Sequence, residues 1–209
     1  MRITNRNDMM RKTIVITWLV LIFGAIGATF WYSELKYQLP TPIPTNYKNV
    51  KRGEFINLNN YLSTGGSKPV FLHFFNPDCP CSRFNMACFK TLVKSYGNKV
   101  NFVIVVMNND SYTVKNIQDK FDLNIPVLFN ASIARACGVY STPQAVLINT
   151  HHNLYYRGNY NRSRYCNDEK TNFAKIAIDS LLNNNALPNI NPLALQAYGC
   201  TLPNCNKTE

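Results

Sequence analysis

Residues 74–85 read Phe-Phe-Asn-Pro-Asp-Cys-Pro-Cys-Ser-Arg-Phe-Asn. An apolar, β-leaning run from Pro69 to Phe75 stops at Asn76-Pro77. Two cysteines one residue apart follow, and then a helix-compatible stretch begins. At such a corner the unpaired N–H groups of the first helical turn, and the positive end of the helix dipole, point at the cysteine sulfur. These surroundings favour the thiolate, the reactive form. Cys79, just ahead of the helix, is the expected nucleophile and the more exposed thiol, and Pro80 pre-sets the first helical turn.

Working outward, the chain alternates strand and helix. Glu54–Leu58 is a short strand candidate, Ser63–Ser67 a loop, and Pro69–Phe75 a buried central strand. Pro80 to about Tyr96 reads as one helix closed by Gly97-Asn98. Val100–Met107 is a second buried strand. Ser111 to about Phe121 has helical spacing, and Pro126–Phe129 is a short apolar strand. Ser132–Cys137 suits a helix ending at Gly138. Gln144–Asn149 and Leu154–Arg157 are strands joined by the polar turn Thr150–Asn153. Asp168 to about Asn183 is amphipathic, and residues 186–209 turn to Asn and Pro. This order implies a mainly parallel sheet with helices on both faces and an antiparallel edge.

Ahead of that domain lies Thr13–Tyr32, twenty residues without a charged side chain. About twenty such residues span a bilayer core. Arg2, Arg6, Arg11 and Lys12 precede it, so residues 1–12 are expected to stay in the cytoplasm and everything after Tyr32 to lie outside. The competing reading is a cleaved signal peptide, with small residues at Ala25-Ile-Gly27. Residues 33–50, with Pro40, Pro42 and Pro44, read as a semi-rigid spacer. Residues 51–185 are the domain and 186–209 a cysteine-containing tail. The working compartment is a bacterial periplasm, with the chain held by one pass in the inner membrane.

The net charge is +11. The amino flank holds four of the 22 basic residues and one of the 11 acidic ones, so the remainder carries 18 against 10, a net +8. Those charges are scattered, with no basic stripe, which argues against nucleic acid. Seven cysteines in an exported domain suggest disulfides, and an odd number leaves at least one thiol over. Cys81 is a candidate to resolve a mixed disulfide on Cys79, although an i,i+2 bond closes a small ring. Cys88, about 10 Å along the helix from Cys81, reads as a small core residue, as does Cys137 in Ala-Cys-Gly-Val. Cys200 and Cys205 are candidates either for a structural bridge with one another or for a tail that folds back to resolve Cys79.

These elements together resemble the thioredoxin superfamily, and within it the membrane-anchored, exported redoxins of the TlpA/ResA type. The resemblance covers roughly residues 50–185. It rests on the apolar strand into Asn76-Pro77-Asp78-Cys79, the helix behind it, and Gly138-Val-Tyr-Ser-Thr142-Pro143 leading into Gln144–Ile148. It implies a thioredoxin-like α/β fold, a central mixed sheet flanked by helices, after one N-terminal transmembrane helix. It also implies a cis Thr142–Pro143 bond, and docking of a partner's extended chain on Thr142 and Pro143. The 64 residues from Cys79 to Pro143 leave room for the extra helix and strand of that branch. One departure stands out: the family shows Cys-x-x-Cys, whereas here Ser82 takes the resolving position and Cys81 sits one residue early.

The expected activity is thiol–disulfide exchange with protein substrates, without a cofactor or a resident metal, and with a redox partner protein to recharge the site. A copper-binding chaperone using the cysteines and His151 or His152 is the alternative, and a non-catalytic thioredoxin-like scaffold is another. A peroxidase would want Thr or Ser where Asn76 stands. His73, inside the apolar strand, reads as a core residue, with tuning of Cys79 as its functional alternative.

Overall fold

A computed structural model describes residues 3–58, 61, 67–107, 111–163, 165–185 and 191–202. The expected loop at Ser63–Ser67 falls largely outside them, and Cys205 does so entirely. The chain forms two compact units, residues 1–39 and 40–209. The first is a single helix, α1 (Ile3–Gln38), whose Asp8–Ser33 stretch is long and apolar enough to cross a membrane.

In the second unit, β1 (Val70–Phe75) leads into α2 (Pro80–Phe84) and α3 (Met86–Tyr96). Then come β2 (Asn101–Val106), α4 (Val114–Phe121), β3 (Val127–Leu128) and α5 (Ala131–Cys137). They are followed by β4 (Ser141–Thr142), β5 (Gln144–Ile148) and β6 (Leu154–Gly158). After a 3-10 turn at Glu169–Thr171 come α6 (Phe173–Leu182), α7 (Pro192–Leu195) and β7 (Cys200–Thr201), the last elements among the described residues. Local chemistry explains the boundaries. Thr113 and Asn116 form a reciprocal capping box for α4. Gly138 ends α5 at φ 66°, a left-handed conformation that costs glycine little.

Five strands make the main sheet, in the order β3-β2-β1-β5-β6. β1, β2 and β3 run parallel, while β5 and β6 are antiparallel to their neighbours. This is the central mixed sheet of a thioredoxin-like fold. β1 is buried along its whole length, which is why it reads as an apolar run interrupted only by His73. Phe71 and Phe75 face a core shared with α3, α4 and α6. Val70, Leu72 and Phe74 face a second core shared with α5 and with Val50, Ile56 and Leu58. His73 lies on the first face, fully buried, stacked on Phe89 at 4.5 Å, with Nδ1 2.6 Å from the Tyr160 hydroxyl. Burial lowers its pKa to about 3.

Three expectations change. The Glu54–Leu58 strand is a single bridge, Phe55 to Asn153. The helix expected from Pro80 to Tyr96 is broken at Asn85, which stands at the junction of the two pieces. Residues 40–50, read as spacer, lie against the domain. The Thr41 amide donates to Ala197 O at 2.8 Å, and the Arg157 guanidinium donates to Val50 O at 2.8 Å.

Candidate redox site

The turn between β1 and α2 is built by its own side chains. The Asp78 amide donates to Asn76 Oδ1 at 3.0 Å, and the Asn76 amide donates to Ser82 Oγ at 3.2 Å. Ser82, three residues after Cys79, is therefore a buried hydroxyl that accepts from the chain leaving β1. The Tyr112 hydroxyl donates to Asp78 at 2.8 Å, and Lys120 Nζ donates to Pro77 O at 3.3 Å beside the Phe75 and Tyr112 rings. Burial lowers the Lys120 pKa.

Cys79 occupies the N-cap of α2, with Pro80 at the first helical position. Its expected place at a helix start is where it lies, but its surroundings differ from the expectation. α2 has five residues, so few aligned peptide dipoles act on the sulfur. Cys79 is also fully buried and bonded to Cys200, with a Cα–Cα distance of 6.7 Å. The expected exposed thiol is a covered sulfur. The Cys81 sulfur lies outside that bond but close to it: the sulfurs of Cys79, Cys81 and Cys200 all lie within 4.8 Å of one another.

The second bridge was not anticipated. Cys88, read as a packing residue, is bonded to Cys166, 78 residues away, with Cα atoms 5.9 Å apart. Helix rise keeps Cys88 away only from cysteines on its own helix. Cys166 arrives from the loop after β6, and one sequence carries no signal for that approach. Cys137 is buried between sheet and helix, and burial raises its thiol pKa to about 12, as suits an inert packing residue.

The Thr142–Pro143 peptide is cis and buried. Thr142 belongs to β4, and β4 pairs antiparallel with β7: Ser141 with Thr201 and Thr142 with Cys200. The same short ladder therefore carries the proline turn and the partner sulfur of Cys79. Thr41 fastens it. Thr41 Oγ1 donates to Gly199 O at 3.1 Å, which leaves the Ser141 hydroxyl as donor to Thr41 at 2.8 Å. Further back, Asn159 Nδ2 donates to Leu193 O and Gln196 O at 2.8 and 2.6 Å. Thr41 and Asn159 carry no local sequence signal for these roles, whereas Gly199 stands directly before a cysteine. His151 and His152 sit in the β5–β6 turn, next to the Ile148 end of β5. Cys79 lies beyond the Phe74 end of β1, which pairs with Gln144 at the other end of β5. Four residues of strand, about 13 Å, separate the two ends.

A family described as "Domain of unknown function (DUF6436)" matches residues 48–205. No curated protein matches the chain by sequence. A hypothetical protein of Sinorhizobium meliloti is similar in structure, with a TM-score of 0.62 at 17% identity over 77% of this chain and 98% of that one. An uncharacterized conserved protein of Geobacillus kaustophilus gives 0.58 at 18% identity over 80% and 100%. A thiol:disulfide interchange protein of the thioredoxin family from Chlorobium tepidum gives 0.43 at 21% identity over 55% and 80%. At such identities the first two likenesses concern the fold alone.

Proposed function

The chain belongs to the DUF6436 family, and from that premise we propose that it is a thiol–disulfide oxidoreductase exchanging disulfides with protein substrates through Cys79. The observation that carries this reading is the cluster of three sulfurs at the start of α2, two of them bonded, beside the Thr142–Pro143 turn. A structural bridge needs no third sulfur at its side.

The reaction balances as dithiol–disulfide exchange. A client thiolate attacks one sulfur of the Cys79–Cys200 bond, and the other leaves as a thiolate and takes up a proton. When the client is held on Cys79, its second thiolate attacks its own sulfur in that mixed disulfide and expels the Cys79 thiolate. Two electrons pass from client to protein, and a client disulfide forms. Run backwards, the same steps reduce a client disulfide. Cys81, within 4.8 Å of both bonded sulfurs, is placed to attack an unproductive mixed disulfide and release it. Thr142 and Pro143 dock the client's extended chain, and a redox partner protein resets the site.

In the same reading α1 tethers the domain to a bacterial inner membrane, with the domain in the periplasm, as in redoxins of the TlpA/ResA type. The Asp8–Ser33 stretch supports a membrane segment. The test of activity is turnover of insulin disulfides and oxidation of a reduced dithiol peptide by the wild type and Cys79→Ser. Equal rates in the two proteins would end the proposal.

One observation favours a second reading. Once reduced, Cys79, Cys81 and Cys200 offer three soft ligands within reach of a single monovalent copper ion. His151 and His152 are at the wrong end of the sheet for that role. Copper as cargo would require tight, stoichiometric Cu(I) binding by the reduced protein, lost in Cys200→Ser and kept when both histidines are replaced.

A further inference from the structure

β7 does more than deliver Cys200. It lies extended along β4, in register with Ser141 and Thr142, and so takes the edge on which the proposed client docks. Leu202 continues the pairing, its amide donating to Tyr140 O at 3.2 Å. Gly199 shows what that edge accepts. Its φ is 147°, and a Cβ built on it would collide with the Thr142 carbonyl oxygen and meet Ser141 Oγ at 3.2 Å. Only glycine fits directly before the cysteine. Ala197 and Ala194, upstream, are small and fully buried.

We infer that β7 is a built-in copy of the client: the β4 edge beside Cys79 receives an extended strand, antiparallel to Ser141–Thr142, with glycine immediately before its reactive cysteine. The chain's own residues 197–202 hold that place, by the Cys79–Cys200 bond and by backbone pairing with β4. This rests on the oxidoreductase reading and names its substrate class, a Gly-Cys segment in an extended, accessible stretch of protein. One edge cannot pair with two strands at once, so tail and client exclude each other. Because the tail is tethered, it competes at a high effective concentration. Access to the edge then takes two steps, cleavage of Cys79–Cys200 and departure of the strand that its backbone pairing still holds. The Thr41 clasp on Gly199 O and Ser141 sets how readily the strand departs.

The test uses the reduced full-length chain and the peptide Ala-Tyr-Gly-Cys-Thr-Leu, its cysteine carrying thionitrobenzoate. The Cys79 thiolate attacks the peptide sulfur, a Cys79–peptide disulfide forms, the bond to thionitrobenzoate breaks, and the coloured thiolate leaves. Peptide mapping locates the adduct. In Cys200→Ser the strand stays seated without its covalent bond. Adding Gly199→Val expels it, and Thr41→Val with Cys200→Ser loosens it should the valine at 199 disturb folding. Reaction at Cys79 is expected to be about tenfold faster with the strand expelled. On that open protein, a peptide with valine in place of glycine should react about tenfold more slowly than the glycine peptide. Equal rates for the two peptides, or no gain on loosening the strand by either route, overturn the inference while leaving the oxidoreductase reading intact. Failure of Cys79 to form any adduct, even with dithiobis(nitrobenzoate), a small aromatic disulfide that needs no strand to dock, overturns both.

Discussion

The Cys88–Cys166 bridge joins α3 to the loop before α6, amid the aromatic core that contains Phe89. That loop is knitted by its own side chains: Asn161 Nδ2 donates to Asp168 O at 2.7 Å, and the Thr171 hydroxyl reaches Asn161 and Asp168 at 2.9 and 2.8 Å. The Cys79–Cys200 bridge joins a strand-to-helix turn to a two-residue strand and has a third sulfur within 4.8 Å. By chain entropy the two are near equals. Their separations of 121 and 78 residues differ by only about 0.4 kcal/mol in loop-closure cost. Stability therefore cannot tell them apart; what lies beside each sulfur can. One bond holds a loop on a packed helix, and the other closes a site.

The sharpest way to break this contrast is to remove one sulfur from each. Cys79→Ser is expected to bring disulfide turnover to background, and Cys88→Ser to leave it at the wild-type level, both read by insulin reduction at 25 °C. Loss of activity in Cys88→Ser with the fold intact would mean that both bridges serve the chemistry. Removing the second bridge altogether, as Cys88→Ala with Cys166→Ala, should cost about 2–5 kcal/mol of stability in urea unfolding and still leave disulfide turnover at the wild-type level.

His73 sharpens the contrast from the core side. It stacks on Phe89, next to Cys88, and burial lowers its pKa from 6.5 to about 3. In the unfolded chain the imidazole gains its proton near pH 6.5, while in the folded chain it stays neutral down to about pH 3. The unfolded state thus binds more protons across that window. Stability is fully present above pH 6.5 and falls as the pH drops toward 3, by about 1.4 kcal/mol per unit at most. His73→Phe should flatten that acid loss in thermal melts without moving the pH profile of turnover. A moved turnover profile would tie His73 to Cys79.

The fold was legible because β1, β2 and β5 are buried apolar runs, and because Thr142-Pro143 stands ahead of β5. The site was legible only in part. Cys79 announced itself by its place at the end of β1. Its partner Cys200 lies 121 residues on, in a stretch whose composition reads as tail, and it was one of two candidates there. Nothing local reveals the strand it forms, because two residues have no periodicity to read. Likewise, Cys88 looks like a packing residue until Cys166 is brought beside it by the loop after β6. Thr41 belongs to a proline-rich stretch that reads as spacer, and its clasp exists only once Gly199 and Ser141 have met.

The smallest expected effect separates the two regions most finely. Thr41→Val keeps the buried shape and removes one hydroxyl, so Gly199 O loses a donor and Ser141 loses an acceptor. A net hydrogen bond is worth about 1 kcal/mol, which corresponds to roughly fivefold in the population of the unseated strand. In the reduced Cys200→Ser background, Cys79 should therefore react with a small disulfide reagent about fivefold faster, with little change in global melting. Thr171→Val is the matching change at the other bridge, where the hydroxyl bonded to Asn161 and Asp168 is lost. It loosens the loop over α3 by a similar amount and should leave Cys79 as slow as before. If both substitutions hasten Cys79 alike, β7 and the loop open together, the two bridges lie in one cooperative unit, and the division drawn between them fails.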